Sequence, residues 1–301
     1  KARKKDGFLN VISIFSFIGI SLGVAVLIIV MSVMNGFRTE LVDKIIGFNP
    51  HVVVKSYEKP IDSNILKNKD LINISKTFML SNSSEAVLIN KDYTKGLLLR
   101  GYLKKDFKKL DIVKSLKFLG NKNLNEKFIS IGNQLSFDYN INIGDKLLIM
   151  SPSGEETILG NLPKQETYIV DSIFDSEIAE FDRSVAFINL NNLENLFDLK
   201  KENRNLEIYL KTPKKINFSK KKIQQLFNDH YIFTWADLNK SLFSALKVER
   251  NVMFIILSLI IIVAAFNIIS GLTILVKNKT KEIAILKSIG VRNKSITKIF
   301  F

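Results

Sequence analysis

The chain has 301 residues, of which 47% are hydrophobic and 24% charged, with no cysteine and a formal net charge of +15. The lack of cysteine excludes a disulfide-stapled fold, so any globular part must hold together by its own core. The positive charge raises nucleic acid as a partner and its placement argues against one: residues 1–6 carry a net +3, residues 277–301 a net +6, and Arg38 and Arg250 add two, which leaves +4 across residues 39–249.

No charged residue occurs from Gly7 to Phe37 or from Asn251 to Val276. Each stretch exceeds the roughly 20 residues that cross a hydrocarbon core of about 30 Å. The pattern predicts a tail over 1–7, a membrane helix over 8–36, a large domain over 37–249 and a second membrane helix over 250–276. Basic residues just outside both spans are the positive-inside pattern, which puts the two ends in the cytoplasm and the domain on the far side. The opening "KARKKDGF" has the charge order of a signal peptide, but the apolar run is too long and lacks an A-x-A site, so a retained helix is expected. Gly19 and Gly23 form a small-xxx-small pair through which another helix can approach closely, although both residues are also common in membrane helices generally. Phe37, Leu41 and Ile45 carry helical spacing past the span, until Gly47 and Pro50 stop it.

After that stop, "HVVV" (51–54) reads as a strand, with His51 at its entry. The runs "AVLI", "GLLLRGY", "KLLIM", "ETYIVDSIF" and "SVAFINL" are β-type, and "GNQLSFDYN", "NLENLFDLK" and "FSKKKIQQLFNDH" are helical. Strands and helices mix without a regular βαβ beat, so the fold class is α+β between flanking α-helical transmembrane segments. The Asn- and Lys-rich stretches 62–76 and 104–127 read as surface connections. Thr234 and Asp237 resemble a capping box that opens one long helix, its stripe of Trp235, Leu238, Leu242 and Ala245 running straight into the second span. Asn267, in the middle of that span, is expected to face another helix or a polar cavity rather than lipid.

No phosphate-cradling G-x-x-x-x-G-K-[ST] loop and no G-x-S-x-G elbow are present, and the only two histidines, His51 and His230, have no patterned ligands beside them. No cofactor, metal or catalytic site is expected. Between "KLLIM" and "TYIV" lies a segment (151–167) longer than a hairpin turn needs, with Ile158, Leu159, Gly160, Leu162 and Pro163 near its middle; apolar residues on a loop tip point to a protein partner. A tuck of that loop over its own domain is the alternative. Beyond the second span, Glu282, Ile285, Leu286 and Ile289 share one helical face, with Lys281 off it and Gly290 ending it. A lone acid on an apolar face calls for a partner, either a protein groove or an anionic leaflet drawing the neighbouring lysines.

"FSFIGISLGVAVLIIVMSVMNGFRTEL", "ISIGNQLSFDYNINIGDKLLIMSPSGE" and "LSLIIIVAAFNIISGLTILVKNKTKEIAILKSIGVRNKSI" resemble the permease subunits of the lipoprotein-releasing (Lol) ABC transporter, the LolC/LolE family, with FtsX- and MacB-like permeases as wider relatives. The resemblance implies a multi-pass protein of the bacterial inner membrane with its central domain in the periplasm, itself no enzyme. It also implies a LolD-like ABC ATPase docked on a coupling helix (277–295, with Lys281, Glu282, Ile285, Leu286, Ile289 and Gly290). A second permease subunit and lipoprotein substrates come with it, as does a LolA-like carrier recruited by a hook-like arm at 158–163. Acyl anchors would lie against Ile14, Ile18 and Val26 of the first span and Phe254, Leu257 and Ile261 of the second. Family members have four membrane helices, so the chain, starting at Lys and ending in "KIFF", is expected to be a fragment with a third helix opening at 296–301. A wall-hydrolase regulator, an efflux permease and a two-span sensor receptor are the alternatives.

Overall fold

A computed structural model describes residues 3–56, 59–62, 64–90, 93–157 and 160–300. It divides into two units: one of residues up to Thr39 together with Ser241 onward, the other of Glu40–Lys240.

The second unit is built on ten strands: β1 (Val52–Lys55), β2 (Ser75–Asn90), β3 (Tyr93–Tyr102), β4 (Leu119–Gly120), β5 (Phe128–Gly132), β6 (Lys146–Thr157), β7 (Gly160–Phe174), β8 (Val185–Asn189), β9 (Asn205–Leu210) and β10 (Tyr231–Thr234). Their order is β10-β1-β9-β2-β3-β8-β5-β7-β4, and β6 pairs with both β2 and β7. That double pairing closes a ring, β2–β3–β8–β5–β7–β6 and back to β2, from which β9, β1 and β10 extend as an open wing. The sixteen-residue β2 makes this possible by splitting its length: residues 75–81 pair with β9, while Val87–Ile89 pair with β6.

Side-chain alternation sorts the strands into separate cores. Ala186 and Ile188 of β8 point into the ring with Leu88, Leu97, Leu99, Ile129, Ile131, Ile149 and Tyr168. Val185 and Phe187 of the same strand point outward into a second cluster with Tyr102, Phe107, Phe118, Phe174 and Tyr209. Burial on both faces explains why β8 reads as an unbroken apolar run. A third cluster under the wing joins Val52, Val54, Leu206 and Ile208 to Ile223 and Phe227.

Helices fill the connections. The chain enters through α1 (Arg3–Phe48), whose last turns belong to this unit: Ile45 and Ile46 are buried, and the Phe48 ring packs on Phe181. Short helices α2 (Lys69–Ile74), α3 (Lys104–Phe107) and α4 (Asp111–Lys114) then occupy the two stretches expected as surface connections. That expectation is corrected, because Leu71, Phe107, Leu110, Ile112, Val113, Phe118 and Leu124 from these stretches are core residues. The lysines between them stay wet while the apolar side chains turn inward. Next come α5 (Asn133–Tyr139), α6 (Ala179–Ser184), α7 (Leu190–Phe197) and α8 (Ile216–Leu226), three of which coincide with the helical segments read from the sequence. Thr234 and Asp237 form the full capping box, but it caps only the four-residue α9 (Trp235–Leu238). At Asn239 the backbone leaves helical geometry (φ −113°, ψ 33°), and its side chain donates back to the Trp235 carbonyl at 2.8 Å. A single helix from Thr234 into the second span is therefore not formed; α10 (Lys240–Ser288) starts afresh.

The first unit consists of most of α1, α10 and the short α11 (Asn293–Phe300). Phe17–Phe48 and Lys240–Gly271 are each 32 residues long, and an 18-residue stretch within each has a mean hydropathy of 2.7 and 3.0 respectively, long and apolar enough to cross a bilayer. Ile28, Ile29 and Val30, at successive positions of α1, are all exposed. A helix apolar on every side that is not buried in a protein core matches lipid better than water.

Candidate functional site

Three surfaces carry the residues singled out by the sequence. Where α1 and α10 meet, a Cβ on Gly23 would lie 3.9 Å from Ile260 Cγ2, whereas Gly19 has open space around it. Further along, Met31, Met34, Asn35 and Arg38 line a cleft with Leu246, Glu249, Arg250 and Met253. Advancing along α1 thus means retreating along α10, so the pair is antiparallel, and Leu27 and Leu246 are its buried residues in this region. Ile14, Ile18, Val26, Phe254 and Ile261 are exposed and Leu257 is half-buried, all available to lipid tails or a second chain. Asn267 lies on the exposed surface of α10.

The second surface is the end of α10. The segment expected as a separate coupling helix is continuous with the span to Ser288. It ends at Gly290, whose φ of +87° is the left-handed conformation that glycine adopts without Cβ strain. The Gly290 N–H donates to the Lys287 carbonyl (3.0 Å) and the Val291 N–H to the Leu286 carbonyl (3.1 Å), which closes the helix as a Schellman motif. Ile285 and Ile289 are largely exposed and Leu286 is half-buried, while Lys281 is exposed. Glu282 already has a neighbour: Lys279 Nζ donates to its two carboxylate oxygens at 2.8 and 2.9 Å. An exposed pair one turn apart contributes only about 0.3–0.5 kcal/mol, so this contact exchanges readily for a better one.

The third surface is the distal part of the β6–β7 hairpin. The expected loop is not formed: Gly154↔Pro163, Glu155↔Leu162, Glu156↔Asn161 and Thr157↔Gly160 pair as strands, and Ile158 and Leu159 lie outside the described residues. The register shifts between Met150 and Gly154, where β6 carries extra residues including Pro152. A bulge accommodates a proline that has no N–H to give to the ladder. Glycine, serine and proline in this stretch read as loop because their role as bulge residues depends on the partner strand. Leu162 and Pro163 are exposed, and the arm is braced by Lys164, whose Nζ donates to Asp198 at 2.6 Å.

Sequence reasoning missed a buried polar cluster of β3 and β9. Glu207 accepts from Arg100 Nη2 (3.1 and 3.3 Å), from the Tyr102 hydroxyl (2.8 Å) and from the Tyr209 hydroxyl (3.3 Å). Arg100 Nη1 also donates to Asn49 Oδ1 at 3.4 Å, immediately after α1. Burial pushes both tyrosines well above their ordinary range, so each stays a hydrogen-bond donor. The one sequence signal was the alternation of "NLEIYL", with its acid on an inward position.

The profile of the FtsX-like permease C-terminal family matches residues 254–301, the later part of α10 with α11. This marks a membrane permease subunit. Over its whole length the chain is 31% identical to the lipoprotein-releasing system transmembrane protein LolC of Neisseria meningitidis serogroup B, of which it spans 74%. It is 30% identical, over 97% of its length, to LolC of Buchnera aphidicola subsp. Schizaphis graminum, spanning 73% of that protein. To LolE of Haemophilus influenzae it is 28% identical over its full length, spanning 74%. The periplasmic region of MacB from Actinobacillus actinomycetemcomitans aligns at 12% identity with a TM-score of 0.42, covering 66% of this chain and 95% of that one. The chain belongs to the LolC/LolE family of lipoprotein-releasing system transmembrane proteins.

Proposed function

We propose that the chain is the permease subunit of an ATP-driven machine that lifts lipoproteins out of the inner membrane of a bacterium and passes them to a soluble carrier in the periplasm. The full-length identity with LolC carries this reading, because it covers both apolar helices and the sheet unit together. The physical task is large: each acyl CH2 buried in the bilayer holds an anchor by about 0.8 kcal/mol, so release needs an energy source. That energy comes from a separate ATPase subunit, and this chain supplies the path from one side of the membrane to the other. Two permease subunits pair, and the exposed side chains Ile14, Ile18, Val26, Phe254 and Ile261 offer the acyl chains an apolar surface between them.

The ATPase docks on the end of α10 and the turn at Gly290. There Ile285 and Ile289 bury against the partner and Glu282 exchanges Lys279 for a cation of the ATPase. Substituting Glu282→Lys sets two ammonium groups one turn apart, a cost to the helix of only about 0.2–0.5 kcal/mol, yet removes the acid on which docking turns. The variant is expected to reach the membrane normally and to lose the ATPase on purification; undiminished co-purification would refute the assignment.

The hairpin arm recruits the carrier, as in a LolC-type subunit. Support comes from its exposed Leu162 and Pro163 and from the absence of any third strand paired with residues 154–157 and 160–163 among the described pairings. Deleting 156–163 is expected to abolish capture of the carrier while the unfolding midpoint stays within about 2 °C, since Leu162 and Pro163, the removed side chains whose burial is described, are exposed. Capture of the carrier by the deleted protein at wild-type level would reject this role. Both variants belong in one experiment, purification of the intact complex from membranes with the ATPase and the carrier as the proteins sought.

A further inference from the structure

The junction between α1 and the sheet is built around one histidine. His51 is 7% exposed, and all of its polar groups are engaged. Its N–H donates to the Ile208 carbonyl at 3.0 Å, and its carbonyl accepts from the Trp235 N–H at 3.0 Å. In the ring, Nδ1 accepts from the Leu210 N–H at 2.7 Å, and Nε2 meets the Ile46 carbonyl at 3.0 Å. A backbone N–H can only donate and a carbonyl can only accept, so the ring is neutral with its proton on Nε2. Ile46 belongs to the last turn of α1. Ile208 and Leu210 belong to β9, the strand that joins the wing to β2. Trp235 opens α9, the last element before α10. His51 therefore ties together the places where the chain enters and leaves the sheet unit.

We propose that His51 is a positioning residue: as a neutral imidazole it locks the last turn of α1 to β9, so that displacement of α1 is delivered to the sheet, and protonation opens this joint. The inference rests on the lipoprotein-release reading for its consequence, but not for its geometry. A proton on Nδ1 would face the Leu210 N–H, donor against donor, and the bond would be lost. The groups around the ring do not cancel this. The Ile46 carbonyl and then Asp111 of α4 favour the proton, Lys76 of β2 opposes it, Asp111 and Lys76 are paired with each other at 2.8 Å, and the Tyr209 ring lies edge-on 5.7 Å away. Burial is the main cause that holds the histidine below its ordinary 6.5. With the folded value depressed, the joint is fully made above the ordinary value and is lost as the pH falls through the folded one.

The test uses the full-length permease complex in proteoliposomes at two pH values, about 7.5, above the ordinary histidine value of about 6.5, and an acid pH below the depressed folded value. Two quantities are read: the hydrogen-exchange protection of the Leu210 amide, corrected for intrinsic rate, and lipoprotein transferred per ATP hydrolysed. Wild type is expected to lose Leu210 protection in acid. His51→Ala is expected to lose it about ten-fold at both pH values and to transfer about ten-fold less per ATP, with hydrolysis unchanged, because one buried donor and one buried carbonyl lose their partner. His51→Asn keeps an acceptor for Leu210 without a titrating group, so it recovers part of the transfer and shows a flat pH profile; it also serves should the alanine variant fail to fold. Wild-type protection in His51→Ala, or a wild-type pH profile in His51→Asn, overturns the proposal. An assembly that transfers nothing even with wild-type chain defeats the release reading instead, and the Leu210 amide still decides the joint.

Discussion

Glu207→Ala is expected to cost the sheet unit about 3–5 kcal/mol, the range for removing one partner of a buried ion pair. The guanidinium of Arg100, 6% exposed, would keep as a hydrogen-bond partner among the described residues Asn49 Oδ1 at 3.4 Å, beside the Tyr102 and Phe187 rings, and the Tyr102 and Tyr209 hydroxyls would both lose their Glu207 acceptor. Against a total stability of roughly 5–15 kcal/mol this leaves a domain that melts far below wild type or does not accumulate. The same reasoning predicts that Arg100→Met combined with Glu207→Leu recovers most of the loss, since a well-packed apolar pair avoids the desolvation of both charges. Urea unfolding of both variants checks this. A single variant with a wild-type midpoint would mean that water reaches the cluster and that the pair contributes little.

Gly132→Ala is expected to destabilise by about 3 kcal/mol or more, at the upper end of overpacking. Its φ of −77° suits any residue, so the constraint is space. A Cβ there would fall 2.1 Å from the Asp182 carbonyl oxygen and 2.4 Å from its Cα, which are backbone atoms of α6 and cannot swing aside. Moving α6 would also disturb the Asp182 carboxylate, which accepts from the Ser176 N–H at 3.0 and 3.2 Å, and the Arg183–Asp138 bond (2.7 Å) that holds α6 to α5. Gly96→Ala on β3, where a Cβ meets nothing within 4 Å, is the control and is expected to change stability by less than about 0.5 kcal/mol. Equal unfolding midpoints for the two variants would show that α6 yields easily.

The contrast between these residues explains how much of the fold was legible. Apolar runs and their punctuation are local, so α1 with its stop near Pro50, β1 at "HVVV", and the strands around "GLLLRGY" and "SVAFINL" could be read directly. Gly132 stood inside a motif that looked familiar, yet its reason, the backbone of Asp182 fifty residues on, is a tertiary contact that no local pattern carries. Glu207 was missed, and the lysine-rich stretch 104–127 misread as surface, for a related reason. Charge normally signals surface, whereas here the acid is buried because Arg100 meets it from β3, and the lysines flank side chains that fill a core. The distal part of the β6–β7 hairpin was read as loop, because bulge and turn use the same residues. At the end of α10 the turn at Gly290 was plain, while the continuity of the helix through Lys277 and the nearby Lys279 for Glu282 emerged only in three dimensions.

The most direct measurement is transfer of a labelled lipoprotein from proteoliposomes to its soluble carrier, with the full-length permease and its ATPase reconstituted together. Lipoprotein is expected to appear on the carrier only when ATP, both subunits and an intact β6–β7 arm are present. Transfer that continues without this chain, or ATP hydrolysis that never yields carrier-bound lipoprotein, would contradict the account.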